Sequence, residues 1–287
     1  MTHPPIQWYP GHIAKAEKQL RKNLGKVDLV IEVRDARIPR ATSHPHLEKW
    51  VTGKQHLLVI NRIDMIPKEA QQTWQKWFLL QGHKPYWCDS KSGKGVKQIF
   101  EAAIKKGEKI NQRRLTRGMR SRPVRALTLG FPNVGKSALI NRLVNKRVVE
   151  SARRAGVTRS LQWIRIGKDL DLLDAPGVLP PRLDNQQAAL LLAICDDIGQ
   201  AAYEVESIAL EFLEMIKDGK KSGCKGLKPE ILAKRYGISF VDKPFDPYSW
   251  LNQIAKQHAS GNRERMSIRI LDDFRKGFLG ISCLEIP

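Results

Sequence analysis

The sequence predicts an α/β fold built on a parallel sheet, followed by a mostly helical C-terminal domain. Three observations carry this. Short β-rich runs, each a handful of apolar residues ending in a polar cluster, alternate with helical patterns over the first 180 or so residues. One of those runs, Val124 to Leu129, leads directly into Gly130-Phe-Pro-Asn-Val-Gly135-Lys136-Ser137, which fits G-x-x-x-x-G-K-[ST] in full. Beyond Pro180-Pro181 strand alternation stops and helical segments follow one another.

The runs Val27 to Val33, Leu57 to Ile60, Tyr86 to Cys88, Val124 to Leu129, Leu161 to Ile166 and Leu170 to Leu173 read as strands. A basic amphipathic pattern up to Leu24, and segments at Lys68 to Leu80, Val96 to Lys106 and Ala138 to Val144, read as helices. Residues 104–125 stand apart, with nine basic residues, the single acid Glu108 and little apolar periodicity, so an exposed basic connector is expected there. After the change of character near 180–185, helices are expected from Gln186, Glu204, Pro229, Tyr248 and Arg263 onward. The expected domains are therefore 1–182 and 183–287, the second with its own basic cluster at Lys220, Lys221, Lys225, Lys228, Lys234 and Arg235.

Composition narrows the class. The 287 residues are 41% hydrophobic, enough for a buried core and too much for a disordered chain. No apolar run is long enough to cross a bilayer. No basic stretch followed by an apolar block marks a signal peptide, and no lipidation motif is present, so a cytoplasmic protein without membrane attachment is expected. Cys88, Cys195, Cys224 and Cys283 are scattered and read as reduced thiols. Trp50, Trp74, Trp77, Trp87, Trp163 and Trp250 read as core or semi-buried packing. The 50 Lys and Arg against 29 Asp and Glu give a formal charge of +21, which favours a polyanionic partner, nucleic acid above all, over a merely solvated basic surface.

The Gly130–Ser137 loop follows a strand and opens a helix, the context that gives such a loop its chemistry. Backbone N–H groups from Asn133, Val134, Gly135 and Ala138 converge with the helix N-terminus on phosphates. Lys136 places a point charge on the β- and γ-phosphates, and the Ser137 hydroxyl is a ligand for Mg²⁺. About forty residues on, Asp174-Ala-Pro-Gly177 ends a strand; its carboxylate suits Mg²⁺ held through water, and the Gly177 N–H suits a γ-phosphate. Between them, Thr158 in Gly156-Val-Thr-Arg159 offers a second hydroxyl to Mg²⁺ from a loop that a γ-phosphate would order.

Asn61-Arg62-Ile63-Asp64 selects the base. A carboxylate at Asp64 accepts from the guanine N1–H and exocyclic amine, an edge adenine does not present. Asn61 is placed to bridge toward the phosphate loop and reach N7, and the stem of Arg62, where Lys is usual, lies along the base. Asp89-Ser90-Lys91 stands where a Ser-Ala-Lys element would support the base through a backbone N–H, here that of Ser90. GTP and GDP are therefore the expected ligands.

The order of these elements is unusual, because 61–64 and 89–91 precede the phosphate loop instead of following it. Joining old termini and cutting elsewhere leaves the same site in space. This order resembles the YlqF-type family of circularly permuted, Ras-like P-loop GTPases. Trp8-Tyr-Pro-Gly-His12-Ile-Ala-Lys15, Asp35-Ala-Arg37-Ile-Pro39 and Asp273-Phe-Arg275-Lys-Gly277 look like that family's further signatures, and the resemblance covers nearly the whole chain.

The resemblance implies a GTPase that binds the large ribosomal subunit and its rRNA during late maturation, as a monomer. The usual water-orienting glutamine is replaced by Val178, which has no donor or acceptor. The resemblance implies His12 as the catalytic group instead; the alternative is that His12 only packs or caps the following helix. In similar GTPases an asparagine at the position of Asn133 helps to hold K⁺; the alternative is a residue suited to its turn. A GTP-binding RNA scaffold with negligible turnover, and a GTPase acting on another RNA or at a membrane, are the rival functions.

Overall fold

Leu29–Asp35 (β1) is buried almost throughout, as a strand covered on both faces must be. The computed structural model of the chain describes residues 6–7, 17–18, 20–145, 162–175, 177, 179–180, 183–219, 227–238 and 245–287. In it β1 pairs in parallel with Gln55–Asn61 (β2) on one side and Val124–Leu129 (β4) on the other. Pro85–Trp87 (β3) extends the first side in parallel; Leu170–Asp174 (β6), parallel to β4, and Gln162–Ile166 (β5), antiparallel to β6, extend the second. The resulting order is β3-β2-β1-β4-β6-β5. The chain leaves β1 toward β3 and then crosses back to β4 on the far side. The direction of winding thus reverses between β1 and β4, and ligands of open α/β sheets bind at the carboxyl ends of strands at such a reversal.

Helices Leu47–Val51 (α1), Lys68–Leu80 (α2), Val96–Leu115 (α3) and Lys136–Val144 (α4) accompany the sheet. α3 overturns the expectation of a basic connector over 104–125: the helix runs nine residues past Lys106 before the chain turns into β4. Three contacts explain why. Gly107 lies against Val124 so closely that a Cβ would fall 1.8 Å from the valine methyl, so the glycine lets α3 approach β4. The Asn111 side chain then brackets Arg122, donating to its carbonyl at 2.9 Å and accepting from its N–H at 3.1 Å, while the Arg122 guanidinium makes a bidentate pair with Asp28.

The C-terminal part is helical as expected: Gln186–Cys195 (α5), Val205–Asp218 (α6), Pro229–Tyr236 (α7), Pro247–His258 (α8) and Arg263–Arg275 (α9). Asn185, Asp246 and Asn262 cap α5, α8 and α9, each side chain accepting from the backbone N–H three residues on. Phe212 and Phe274 meet with centroids 4.8 Å apart in a core continuous with that of the sheet. The tail returns to the sheet: Ser282 N–H donates to Met65 O, Leu284 N–H to Arg37 O, and the Glu285 carboxylate accepts from the N–H groups of Arg40 and Ala41. Among the described residues Cys88, Cys195 and Cys283 are free, buried thiols, and no helix is long and apolar enough to cross a membrane. Trp50, Trp74 and Trp250 are buried and Trp77 and Trp87 half-buried, but Trp163 is not core. It sits on the edge strand β5, 43% exposed, with the Arg125 guanidinium 5.9 Å from its ring centre.

Candidate nucleotide site

The loop Gly130–Gly135 joins the carboxyl end of β4 to the N-terminus of α4. Asn133 and Gly135 both take positive φ, 56° and 96°, which curls the backbone around the helix N-terminus. Lys136 is folded under this curl, its ammonium donating to Gly130 O at 3.1 Å and Phe131 O at 2.7 Å. Ser137 and Ala138 occupy the first turn of α4, whose amides have no intrahelical partner. Asp174 ends β6, one strand away and parallel to β4, and Gly177 lies beyond it against Pro132, where a Cβ would come within 2.7 Å of the proline backbone.

The base-selecting loop lies beside the phosphate loop although some seventy residues separate them in sequence. Asn61, at the end of β2, donates from Nδ2 to Val134 O at 2.9 Å and accepts on Oδ1 from the Ser90 N–H at 3.0 Å and the Ser90 hydroxyl at 2.8 Å. Arg62 takes φ 67° and donates from Nη2 to Asn133 O at 2.5 Å. A side chain at 135 would put a Cβ 2.1 Å from Asn61 Nδ2, so glycine is required there for the two loops to close. Asp64 stands in an exposed 3₁₀ turn, Ile63–Met65. The Ser90 N–H is directed to Asn61, which makes Ser90 the residue that holds Asn61 in place. Asp89 keeps its own loop folded by accepting from the N–H groups of Lys91 and Ser92.

Known proteins with this arrangement settle its family. A sequence profile of 50S ribosome-binding GTPases matches residues 125–224. Ribosome biogenesis GTPase A of Bacillus cereus is 33% identical over 98% of this chain and 94% of its own. The chain belongs to the ribosome biogenesis GTPase A family. The protein of the same name from Thermotoga maritima is 30% identical over 79% of this chain and 86% of its own. The crystal structure of GNP-bound YlqF from T. maritima superposes with a TM-score of 0.64 at 24% identity, covering 95% of this chain and 98% of that one, which confirms the permuted P-loop fold.

The electrostatics of the GTPase site follow from burial. Asp174 is 1% exposed, and burial pushes its carboxyl up to about 6 against the opposing pull of Lys136 and a hydrogen bond with Thr128. Its Oδ1 has no hydrogen-bond partner. Burial draws the Lys136 ammonium down to about 8, against the carboxylates of Asp174 and Asp197.

Several contacts at the site had no role in the sequence reading. Asn133 Nδ2 donates to Asp196 O at 2.6 Å, joining the phosphate loop to the turn after α5. Arg37, fully buried, holds both oxygens of Asp35 and the carbonyl of Cys195, and Asp35 also meets Arg62 at 3.3 Å. The Asp35-Ala-Arg37 motif therefore clamps β1, the base-selecting loop and α5 together. Only tertiary structure shows this, since Asp35 and Cys195 lie 160 residues apart. His12, Thr158 and Val178 lie outside the described residues.

Proposed function

We propose that this GTPase is an assembly factor of the large ribosomal subunit: it docks on the subunit's rRNA with GTP bound and leaves after hydrolysis. The closure of the base-selecting loop on the phosphate loop through Asn61–Val134 and Arg62–Asn133 carries the reading, because it joins guanine choice to phosphate binding in one site. The partner is supported by the family's name and by a charge of +21, suited to rRNA phosphates. Residues 1–182 would be the switching domain and 183–287 a second basic RNA-binding domain, in a monomer acting in the cytoplasm.

The residues present suit Mg²⁺: Asp174, with a buried oxygen that has no hydrogen-bond partner, ends the strand paired with β4, which leads through the phosphate loop to Ser137, and Thr158 would be the further hydroxyl. When bound, the ion would neutralise phosphate charge. Lys136 and the amides of Asn133 to Ala138 orient the phosphates, Asp64 and Asn61 the base, and Gly177 the terminal phosphate. Asn133 is the candidate contact for K⁺. Val178 offers no polar side-chain atom, and on the family resemblance proton transfer from the attacking water would fall to His12. Ile6, six residues before His12 in sequence, is anchored to α5 by its N–H donating to Gln186 Oε1 at 2.9 Å.

The two shifted groups set a pH window. Asp174 carries its charge above about 6 and loses it as pH falls; Lys136 carries its charge below about 8 and loses it as pH rises. GTP affinity in Mg²⁺ buffer, measured by fluorescent-nucleotide titration, is therefore expected to peak between these values. The acid limb should vanish in Asp174→Asn, and its survival there would assign it to another group.

Phosphate release from GTP in K⁺ buffer, with and without purified large subunits, tests the function. Stimulation by the particle is expected. His12→Ala should then lose about 10²–10⁴-fold of the stimulated rate with GTP affinity unchanged, and Na⁺ in place of K⁺ should slow it if Asn133 holds the ion. GTP binding without any stimulation would favour a scaffold, and an undiminished rate in His12→Ala would end the case for that residue.

A further inference from the structure

We infer that the C-terminal end of α3 and the turn after it form a phosphate-reading anchor for helical RNA, placed away from the nucleotide site and indifferent to its state. α3 begins next to the Asp89–Lys94 loop that holds Asn61 and ends at the start of β4, so its 20 residues span the sheet, about 30 Å, from the nucleotide edge to the opposite one. The buried face of α3 is Val96, Ile99, Ala103 and Gly107. On the solvent side Lys105, Lys109 and Arg113 follow at i,i+4 spacing, each exposed, and Arg117 and Arg120 continue the series in the turn.

This is not a loose charge run. The turn is fixed by Asn111 on Arg122, by the Arg122–Asp28 pair and by Arg114, whose Nε donates to Arg120 O at 3.1 Å. Among the described residues none of the five exposed cations forms an ion pair. Lys106 is held below its ordinary range by partial burial and by the charge of Lys109, a like-charge crowding that an anion would relieve. Glu108 is the sole acid on the segment.

The chemistry also says how the partner is read. From Ala102 to Arg125 the chain has no aromatic residue, so bases cannot be stacked there as single-strand binders require. Point charges on a rigid helix contact phosphates, which fix position without reading sequence, and duplex RNA is met mainly through its backbone. The anchor would hold the GTPase on the particle through both halves of its cycle, leaving the nucleotide-sensitive contacts to set release. Identification of the polyanion as rRNA rests on the ribosomal reading above; the surface itself does not.

The full-length protein carrying Lys105→Glu, Lys109→Glu and Arg113→Glu tests this, beside a matched reversal at the exposed Lys68, Lys76 and Lys84 of the α2 side. Binding is measured against purified large subunits, an unrelated RNA duplex and anionic vesicles, across a salt series, with GDP and with a non-hydrolysable GTP analogue. The α3 variant should bind subunits and duplex at least about tenfold more weakly in both nucleotide states, with a log–log salt slope shallower by about 2–3, and basal GTP turnover unchanged. Equal losses in the two variants would show a net-charge effect and overturn the anchor, as would a loss confined to one nucleotide state or a preference for vesicles. If the wild type ignores subunits yet binds duplex through α3, the ribosomal reading falls and the anchor stands. Neutral Lys→Gln and Arg→Gln changes at the three α3 positions should give the same direction of effect, excluding misfolding as its cause.

Discussion

Asp64→Asn is expected to cost about two to three orders of magnitude in GTP affinity and to transfer preference to xanthosine triphosphate. The carboxylate at 64 would accept from two donors on the guanine edge, and a hydrogen bond to a charged group contributes about 1.5–3 kcal/mol. Two of them amount to about 3–6 kcal/mol, or roughly 10²–10⁴-fold in affinity, and solvent at this exposed position favours the lower part of that range. An asparagine amide can donate to the carbonyl that xanthine carries where guanine has its amine, so the loss with one base becomes a gain with the other. Asp64 stands exposed in its 3₁₀ turn, with Arg62 and Lys91 as its neighbouring cations, so folding should be little affected. Competition titration of both nucleotides against the variant checks this. Equal loss for GTP and xanthosine triphosphate would mean that Asp64 does not face the base edge.

The nucleotide loops were legible because their chemistry is local and their residue types have few substitutes. A glycine at 135, a lysine at 136 and a hydroxyl at 137 announce a phosphate loop wherever the chain puts them, and the reversed order of the base-selecting element is itself a sequence fact. The alternation of strand and helix was legible for the same reason: β1, β2 and β4 are buried along most of their length and read as short, largely apolar runs. The extension of α3 was not, because its warrants are a bracket between Asn111 and Arg122 and an ion pair from Arg122 to Asp28, 94 residues away. A basic helix with few apolar positions has no periodicity to show. Trp163 misled through composition, since tryptophan is usually packed but an edge strand leaves one face open. Ser90 reads in the sequence as supporting the base through its backbone N–H, but that N–H donates to Asn61, a partner decided by loop closure and not by spacing.

Arg37→Met is expected to destabilise the fold by about 3–5 kcal/mol, because it leaves a buried carboxylate without its main counter-ion. Arg37 is fully buried and donates to both oxygens of Asp35, at 3.0 and 2.7 Å, and to Cys195 O at 3.0 Å. Burial alone would raise the Asp35 carboxyl; Arg37 first, then Arg62, overcome that and hold it below its ordinary range. Asp197 lies close by with both oxygens lacking a hydrogen-bond partner, and burial together with the charge of Asp35 keeps its carboxyl well above the usual range. Without Arg37 the two acids face each other with Arg62 as the principal remaining cation, and Arg62 is also the residue that reaches Asn133 O in the phosphate loop. A structural loss should therefore carry a functional one. Thermal unfolding should shift down by roughly 10 °C, and GTP affinity should fall as Arg62 is drawn toward Asp35. The double variant Arg37→Met, Asp35→Asn removes the pair together and should recover most of the stability, since replacing both partners of a buried pair is far less costly than stranding one. If it recovers stability but not GTP affinity, the clamp also positions the base-selecting loop. If Arg37→Met alone stays within about 1 kcal/mol of wild type, the clamp is not what holds β1 to α5, and the Asn133–Asp196 contact and the C-terminal strap must carry that junction instead.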